Sequence, residues 1–172
     1  MILTVIVPDG IVSINNVPNK VDLSPLSSSI HAIQWDGITG AIEYIDNTFT
    51  ADGSRIKRIS SIADYQWIID SWQKINSNRI LSMNEDALWQ AAHDYEYSRI
   101  SGSAIGLLTM GVLSNKPKSK AVQTWLTSLW NLYYKRKASL SSTVLIDSAL
   151  LDFSSIGEIP STVPDLMAEI LV

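Results

Sequence analysis

The stretch from Ile30 to Tyr44 reads IHAIQWDGITGAIEY, and it carries the clearest hairpin signal in the chain. Two runs rich in β-branched and aromatic residues, Ile30 to Trp35 and Ala41 to Ile45, flank a connection that runs from Asp36 to Gly40 and contains two glycines. Because glycine adopts positive φ without steric cost, this connection favours a tight reversal between antiparallel strands. The stretch therefore predicts the centre of an antiparallel β unit.

Further strand signals precede this hairpin. Ile2 to Val7 and Ile11 to Ile14 are β-branched runs separated by the turn Pro8-Asp9-Gly10. Val17 to Leu23 then returns as a hairpin partner, and Pro18 makes it an edge strand because proline has no N–H to donate to a neighbouring strand. The first third of the chain is thus predicted to be a small sheet.

The spacing of the apolar residues changes from two to about 3.6 at Ser60. Just before this change, from Asp46 to Ser60, the alternation lapses, which indicates either a mobile loop or a short extra hairpin. The first predicted helix is an amphipathic one on Ile62 to Ile75, and the second opens at the capping box Ser82 to Glu85 and runs towards Arg99. A third follows the turn Asn115-Lys116-Pro117, with Ser119 as a possible cap, and ends near Ala138. A short last helix begins at Thr162 and continues through Leu171.

These signals predict the α+β class, with a small N-terminal antiparallel β unit followed by an α-helical C-terminal unit. The predicted domains are residues 1–59 and residues 60–172, the second of which contains an irregular serine-rich segment at 139–161. A break is predicted near Ser101. Beyond it, Gly102 and Gly106 lie four residues apart in an apolar run, a spacing that permits close approach of another helix.

Composition excludes several classes of protein. The chain has 172 residues and no cysteine, so it forms no disulfide framework, thiolate metal site or cysteine nucleophile. Its first residues lack the basic leader of a signal peptide, and the apolar stretch Ala104 to Leu113 is shorter than the about 20 residues of a membrane helix. We therefore expect neither export by a recognisable signal nor a membrane partner.

The net charge of −4 hides a segregation of charge along the chain. From Tyr97 to Ile146 there are seven basic residues and no acid, and from Asp147 onwards there are five acids and no base. The basic segment is interpreted as neutralised within the molecule or its complex. A solvated basic face and a nucleic-acid site are the alternatives, and the overall acidity argues against nucleic acid as a partner.

Signals for catalysis are sparse. His31 and His93 are the histidines of the chain, and on a helix only His93 and Glu96 would share a face, which falls short of a metal site. Glu85 and Asp86 are explained by the first turn of a predicted helix, where negative charge complements the macrodipole. No nucleophile elbow, phosphate loop or dinucleotide fingerprint is present. We expect no catalytic residue, no metal, no cofactor and no enzyme activity.

Tryptophan and tyrosine are the residues most suited to a partner surface. Trp125 and Trp130 are five residues apart on one predicted helix, so both cannot easily face one core. The alternative interpretation places Trp125 and Tyr133 in the core with Trp130 at its edge, and a second candidate surface is the β edge beside Pro18, which can accept a strand from a partner. The predicted partner-binding residues are Trp125, Trp130, Tyr133, Tyr134, Lys135 and Arg136.

The hairpin of residues 30–44, together with Val5 to Gly10, Val12 to Ile14 and Val21-Asp22, resembles the N-terminal region of small tail-associated proteins of tailed bacteriophages. These are described as tail-fibre assembly proteins or tail assembly chaperones. The resemblance covers about residues 1–75. It continues loosely through Lys120 to Trp125 and Thr162 to Leu166, and the segment from Ser139 to Ser161 departs from the family's pattern.

The resemblance implies a tail protein that binds a trimeric tail fibre or spike, as an assembly chaperone or as a retained virion component. Two alternatives stay open: a structural baseplate or tail adaptor protein with no chaperone role, and a cell-wall hydrolase of the tail. The implied partners are the fibre or spike and other tail proteins. The implied location is the host cytoplasm during assembly or the virion tail.

Overall fold

The computed structural model describes residues 1–46 and 53–171, with Ser103 described by its backbone alone. An N-terminal antiparallel sheet of six strands is followed by helices, which confirms the predicted α+β class. The chain forms two compact units, Met1–Asn78 and Arg79–Val172. This division differs from the predicted boundary after residue 59 because the first turns of a long helix pack into the core of the sheet.

The sheet has the order β3-β2-β1-β4-β5-β6, and every neighbouring pair is antiparallel. β3, which contains Pro18, lies at one edge as predicted. β6 lies at the other edge and pairs with β5, which gives the short extra hairpin that was one of two expectations for 46–60. Residues 47–52 of that segment lie outside the described residues. The strands are β1 (Leu3–Ile6), β2 (Ile11–Ile14), β3 (Val17–Lys20), β4 (Ile30–Trp35), β5 (Gly40–Tyr44) and β6 (Ile56–Ile59).

Turn chemistry explains the two tight hairpins. Asn15 and Asn16 have φ values of 48° and 67°, the left-handed pair that a two-residue hairpin turn of type I′ requires. In the β4–β5 turn the Asp36 carboxylate accepts N–H groups from Ile38 at 2.8 Å and Thr39 at 2.7 Å. Gly40 is needed for a close approach rather than for positive φ, because a Cβ there would overlap a backbone oxygen of β4.

One face of the sheet forms the core of the first unit. Ile33 and Val5 are fully buried, and the register shifts between Ile30 and Ala32, which leaves Ile30 buried as well. Ile68, Ile69 and Trp72 from the following helix complete this core, and the Trp72 indole N–H donates to the carbonyl of Val17 at 3.0 Å. The full set of buried core residues is Leu3, Val5, Val12, Ile14, Val21, Leu23, Ile30, Ile33, Trp35, Ile42, Ile68, Ile69 and Trp72.

A single helix, α1 (Gln66–Tyr97), replaces the two helices predicted on Ile62 to Ile75 and from Ser82 onwards. The expected capping box is therefore wrong, because Ser82 lies inside a continuous helix. Asn84, in the same stretch, is 1% exposed. Its amide donates to two carbonyls and accepts an N–H in the serine-rich segment, so it fixes that segment to the helix. The partners are the carbonyls of Ser141 and Val144 and the N–H of Ile146.

Over its described residues, the second unit contains the end of α1, four further α-helices and a short 3-10 helix at Ser154–Ile156. The close helix approach expected at Gly102 and Gly106 occurs instead at Gly111, where a Cβ would overlap the Ser119 side chain. At Gly106, an added Cβ would meet no heavy atom within 4 Å other than those of its chain neighbours and its own helix backbone. The further helices are α2 (Gly102–Leu113), α3 (Pro117–Lys137), α4 (Ser148–Leu151) and α5 (Val163–Ile170).

The N-terminus of α3 is capped by a residue from α5. The Glu169 carboxylate accepts the N–H of Lys118 at 2.8 Å, and the N–H and hydroxyl of Ser119 at 3.0 and 3.1 Å. Burial acts to raise the pKa of Glu169, but these hydrogen bonds and the charge of Lys118 together hold it below the usual value of 4.5. A carboxylate at this position satisfies N–H groups that a helix leaves unpaired at its start.

We expect Gly111→Ala to lower the free energy of unfolding by about 1–3 kcal/mol, because the added methyl overlaps Ser119. Gly106→Ala is the matched control on the same helix. It should raise the free energy of unfolding by up to about 1 kcal/mol, because alanine has the higher helix propensity and the position is open. Urea unfolding at low protein concentration measures both, and equal effects of the two variants would contradict the contact.

Glu169 should make the stability of the chain depend on pH. Since its folded-state pKa lies below the usual value, its contribution is present above that value and is lost as the pH falls through the lowered pKa. Glu169→Gln should therefore be less stable than the unmodified chain near neutral pH, and the difference should shrink on acidification. Urea unfolding midpoints of the unmodified chain and of Glu169→Gln, measured from neutral to acidic pH, test this, with Glu158→Gln as the control. If the difference in midpoint between the unmodified chain and Glu169→Gln does not change with pH, Glu169 is not the group responsible.

Candidate protein-binding surface

Two aromatic side chains of the second unit point inward and share one acceptor. The Tyr95 hydroxyl and the Trp125 indole N–H both donate to the carbonyl oxygen of Gly157, at 3.1 and 3.0 Å. Their rings are stacked, with centroids 6.0 Å apart. The polar groups of both rings are thereby satisfied, so Tyr95 and Trp125 are structural.

Other rings of α1 and α3 form a connected row at the surface. His93 lies 4.3 Å from Trp89, 4.8 Å from Tyr97 and 5.9 Å from Trp130, measured between ring centroids. Tyr133, which is buried, contacts both Trp130 and Tyr134 edge-on. We call Trp89, His93, Tyr97, Trp130 and Tyr134 the aromatic strip.

The aromatic strip combines exposure with internal packing. Trp89, Tyr97 and Tyr134 are 45%, 55% and 63% exposed, and His93 and Trp130 are half-buried between them. Both tryptophan and tyrosine present a large apolar body with one polar group, which suits a surface that is wet when free and dry when covered. Rings that already pack on one another lose little side-chain freedom on binding. The strip is therefore a preorganised apolar surface.

The structure separates the six predicted partner-binding residues. Trp125 and Tyr133 are each 6% exposed and belong to the core, where the alternative interpretation places them, so neither ring is presented at the surface. Arg136 is also engaged internally, since its guanidinium lies 4.5 Å from the centre of the Phe153 ring and donates to a carbonyl in α4. Lys135 is exposed, but it lies about 100° around the helix from Tyr134.

Only Trp130 and Tyr134 of the predicted set belong to the aromatic strip. Sequence reasoning missed Trp89 and Tyr97, although a signal was present. Trp89, His93 and Tyr97 are spaced four residues apart, which places three rings on one face of a helix. The spacing does not by itself tell an exposed face from a buried one.

Ion pairs connect the basic segment to acids elsewhere in the second unit. Lys118 Nζ lies 3.7 Å from the carboxylate of Asp165, and Lys137 Nζ lies 3.4 Å from that of Glu85. Arg99 also pairs with Glu158, at 3.8 Å. These contacts agree with the interpretation that the basic segment is neutralised within the molecule.

Two of the depressions in the first unit have volumes of about 440 and 290 Å³. Asp22 lies in one and Asp36 in the other. The pKa of Asp22 is lowered mainly by the N–H of Ser24, and that of Asp36 by the N–H groups of Thr39 and Ile38. These hydrogen bonds stabilise the turns and keep both carboxylates charged. A carboxylate kept in its charged form is poorly suited to donate a proton to a substrate.

The edge strand β3 offers little to an added strand. The N–H of Val21 donates to the carbonyl of Gly10, so the backbone groups of Val21, and of every second residue before it, point towards β2. The backbone groups of Pro18 and Lys20 therefore point away from the sheet. Because Pro18 has no N–H, the N–H of Lys20 is the single outward donor of β3. The aromatic strip is therefore the better candidate surface.

Among the described residues, no group of three or more histidine, aspartate or glutamate side chains is placed to hold a metal. Over the same residues no helix has the length and apolar character needed to cross a membrane. Comparison of the chain with protein-family models, curated proteins and solved structures gives no match.

The structural and the exposed rings should respond differently to truncation. Trp125→Ala should lower the free energy of unfolding by about 3–5 kcal/mol, because it leaves a cavity and removes a hydrogen bond to Gly157. Tyr134→Ala should change it by less than about 0.5 kcal/mol, because the ring is exposed. Denaturant unfolding of both variants measures this, and a large loss for Tyr134→Ala would show that its ring is needed for folding.

Proposed function

We propose that this chain is a partner-binding protein of a bacteriophage tail and that it holds tail fibre or spike protein through the aromatic strip. It acts as an assembly chaperone or remains as a component of the virion. The observation that carries the proposal is the exposure of Trp89, Tyr97 and Tyr134 in one connected row of rings.

The composition of the strip supports a protein partner. Tryptophan and tyrosine are enriched among the residues that contribute most to binding between proteins, and charged residues are depleted at the centres of such interfaces. The strip consists of rings, while Lys137 beside it is already paired with Glu85. A surface of this kind fits an apolar patch on another polypeptide.

The identity of the partner rests on the resemblance of residues 1–75 to small phage tail proteins. Those proteins assist or accompany trimeric fibres, so a trimeric fibre or spike is the partner that we propose. The same reasoning makes the chain a binding protein rather than an enzyme, with a place in the host cytoplasm during assembly or in the virion tail.

The test is coexpression of the chain with the fibre or spike protein encoded beside it. The fibre should be soluble and trimeric when the unmodified chain is present. Trp89→Ala combined with Tyr134→Ala should weaken the complex at least about 30-fold, because truncation of even one interface residue of this type costs about 2 kcal/mol or more. Affinity is measured by titration calorimetry on the purified proteins.

Ile38→Ala is the matched control, because Ile38 is 80% exposed at the β4–β5 turn of the first unit and is not part of the strip. It should bind the fibre as the unmodified chain does. A fibre that matures equally well without the chain would count against the chaperone role, and equal binding by the double variant would exclude the strip. Mass spectrometry of purified particles distinguishes a retained component, found at fixed copy number, from a chaperone that leaves.

A further inference from the structure

The solvent-facing side of α2 is apolar and carries no charge. No charged residue occurs between Arg99 and Lys116, and Ile105, Met110 and Leu113 are 44%, 57% and 82% exposed. At about 100° per residue, six residues fall on one arc of roughly 140°. We call these residues the α2 outer face: Gly102, Ile105, Gly106, Thr109, Met110 and Leu113.

The opposite arc of the helix is already used. Ala104 and Leu108 are buried in the core of the second unit, and Gly111 packs closely on Ser119. The outer face is therefore the side of α2 that the second unit leaves uncovered. Exposed apolar side chains grouped on one helix face mark an interaction surface more often than scattered ones do.

The α2 outer face is ready to be buried. Thr109 carries its one polar side chain, and the hydroxyl of Thr109 already donates to the carbonyl of Ile105 at 2.9 Å. Covering a polar side chain usually costs free energy because its hydrogen-bonding group loses water and gains no partner. On this face that cost is avoided, since the hydroxyl of Thr109 keeps its partner when the face is buried.

The sequence of this face is complementary to itself in the antiparallel direction. When a second copy of α2 is placed across a two-fold axis between residues 107 and 108, Gly102 lies opposite Leu113. In the same arrangement Gly106 lies opposite Thr109, while Ile105 and Met110 lie along the two edges of the contact. Each glycine then faces a larger side chain. A parallel arrangement would instead oppose Leu113 to Leu113 and glycine to glycine.

We propose that two copies of this chain associate through the α2 outer face, antiparallel and around a two-fold axis. Such an interface uses the same surface patch on both copies, which requires a patch that fits itself. The absence of charge removes the repulsion that identical charged faces would bring to a symmetric contact.

The size of the face sets the strength of this association. Six residues on each side are fewer than the roughly 20–30 a side of a standard stable interface. The dimer is therefore weak and reversible, and it forms at high protein concentration. This association does not depend on the proposed function, since fibre binding uses other residues.

Sedimentation equilibrium between about 5 and 500 µM protein tests the association, with the mass expected to rise from one chain towards two. Gly106→Leu fills the open position opposite Thr109, and Leu113→Lys places a charge opposite Gly102. Each should weaken the dimer about tenfold or more. Both positions are exposed, so neither variant should unfold at a lower denaturant concentration than the unmodified chain, and Ile38→Lys is the control that should dimerise normally.

The chain has no cysteine, so introduced cysteines report the register directly. In an oxidised mixture of Gly106→Cys and Thr109→Cys chains, the antiparallel register predicts that mixed disulfide dimers exceed the half expected from random pairing. An excess of like-with-like dimers would overturn the register. A chain that stays monomeric up to about 500 µM would overturn the proposal. The same holds if the monomeric chain binds phosphatidylcholine vesicles, since the α2 outer face would then contact lipid instead of a second copy.

Discussion

The carbonyl oxygen of Gly157 fixes the arrangement of the second unit. A buried indole N–H and a partly buried phenol each need an acceptor, and this one oxygen serves both Trp125 and Tyr95. Because Tyr95 points inward, His93 and Tyr97, each two residues away, are turned about 200° from it and face outward. Trp130, five residues after Trp125, is likewise turned to the edge of the core. The position of the aromatic strip follows from the rings that are buried.

Local chemistry made much of the first unit predictable. The turns at Asn15-Asn16 and at residues 36–40 depend on residues within the turn itself, so their sequences were sufficient to predict both hairpins. The second unit shows what local chemistry misses. A capping box at Ser82 is a valid start signal, yet the helix continues through it, and Asn84 inside this stretch binds a distant segment. The close approach at Gly111 likewise depends on Ser119, which the sequence does not place beside it.

The candidate surface was predictable only in part, for a related reason. Helical spacing tells which residues share a face, and it correctly separates Trp125 from Trp130. It does not tell which face is covered, since that depends on segments far along the chain. Phe153 and Gly157 cover the side of α3 that carries Trp125, and no helical periodicity links those two residues to α3. Trp89 and Tyr97 were missed because the sequence does not show whether another segment covers their side of α1.

Charge and aromatic area have separate roles in the second unit. The acids of the C-terminal segment lie against the basic residues, where Glu169 caps α3 and Asp165 pairs with Lys118. These contacts reduce the net field of a segment that would otherwise attract anionic partners in general. Exposed apolar area is found on rings of α1 and α3 and on aliphatic side chains of α2. Apolar contact responds to shape rather than to the sign of charge, so a surface of this kind selects its partner by fit.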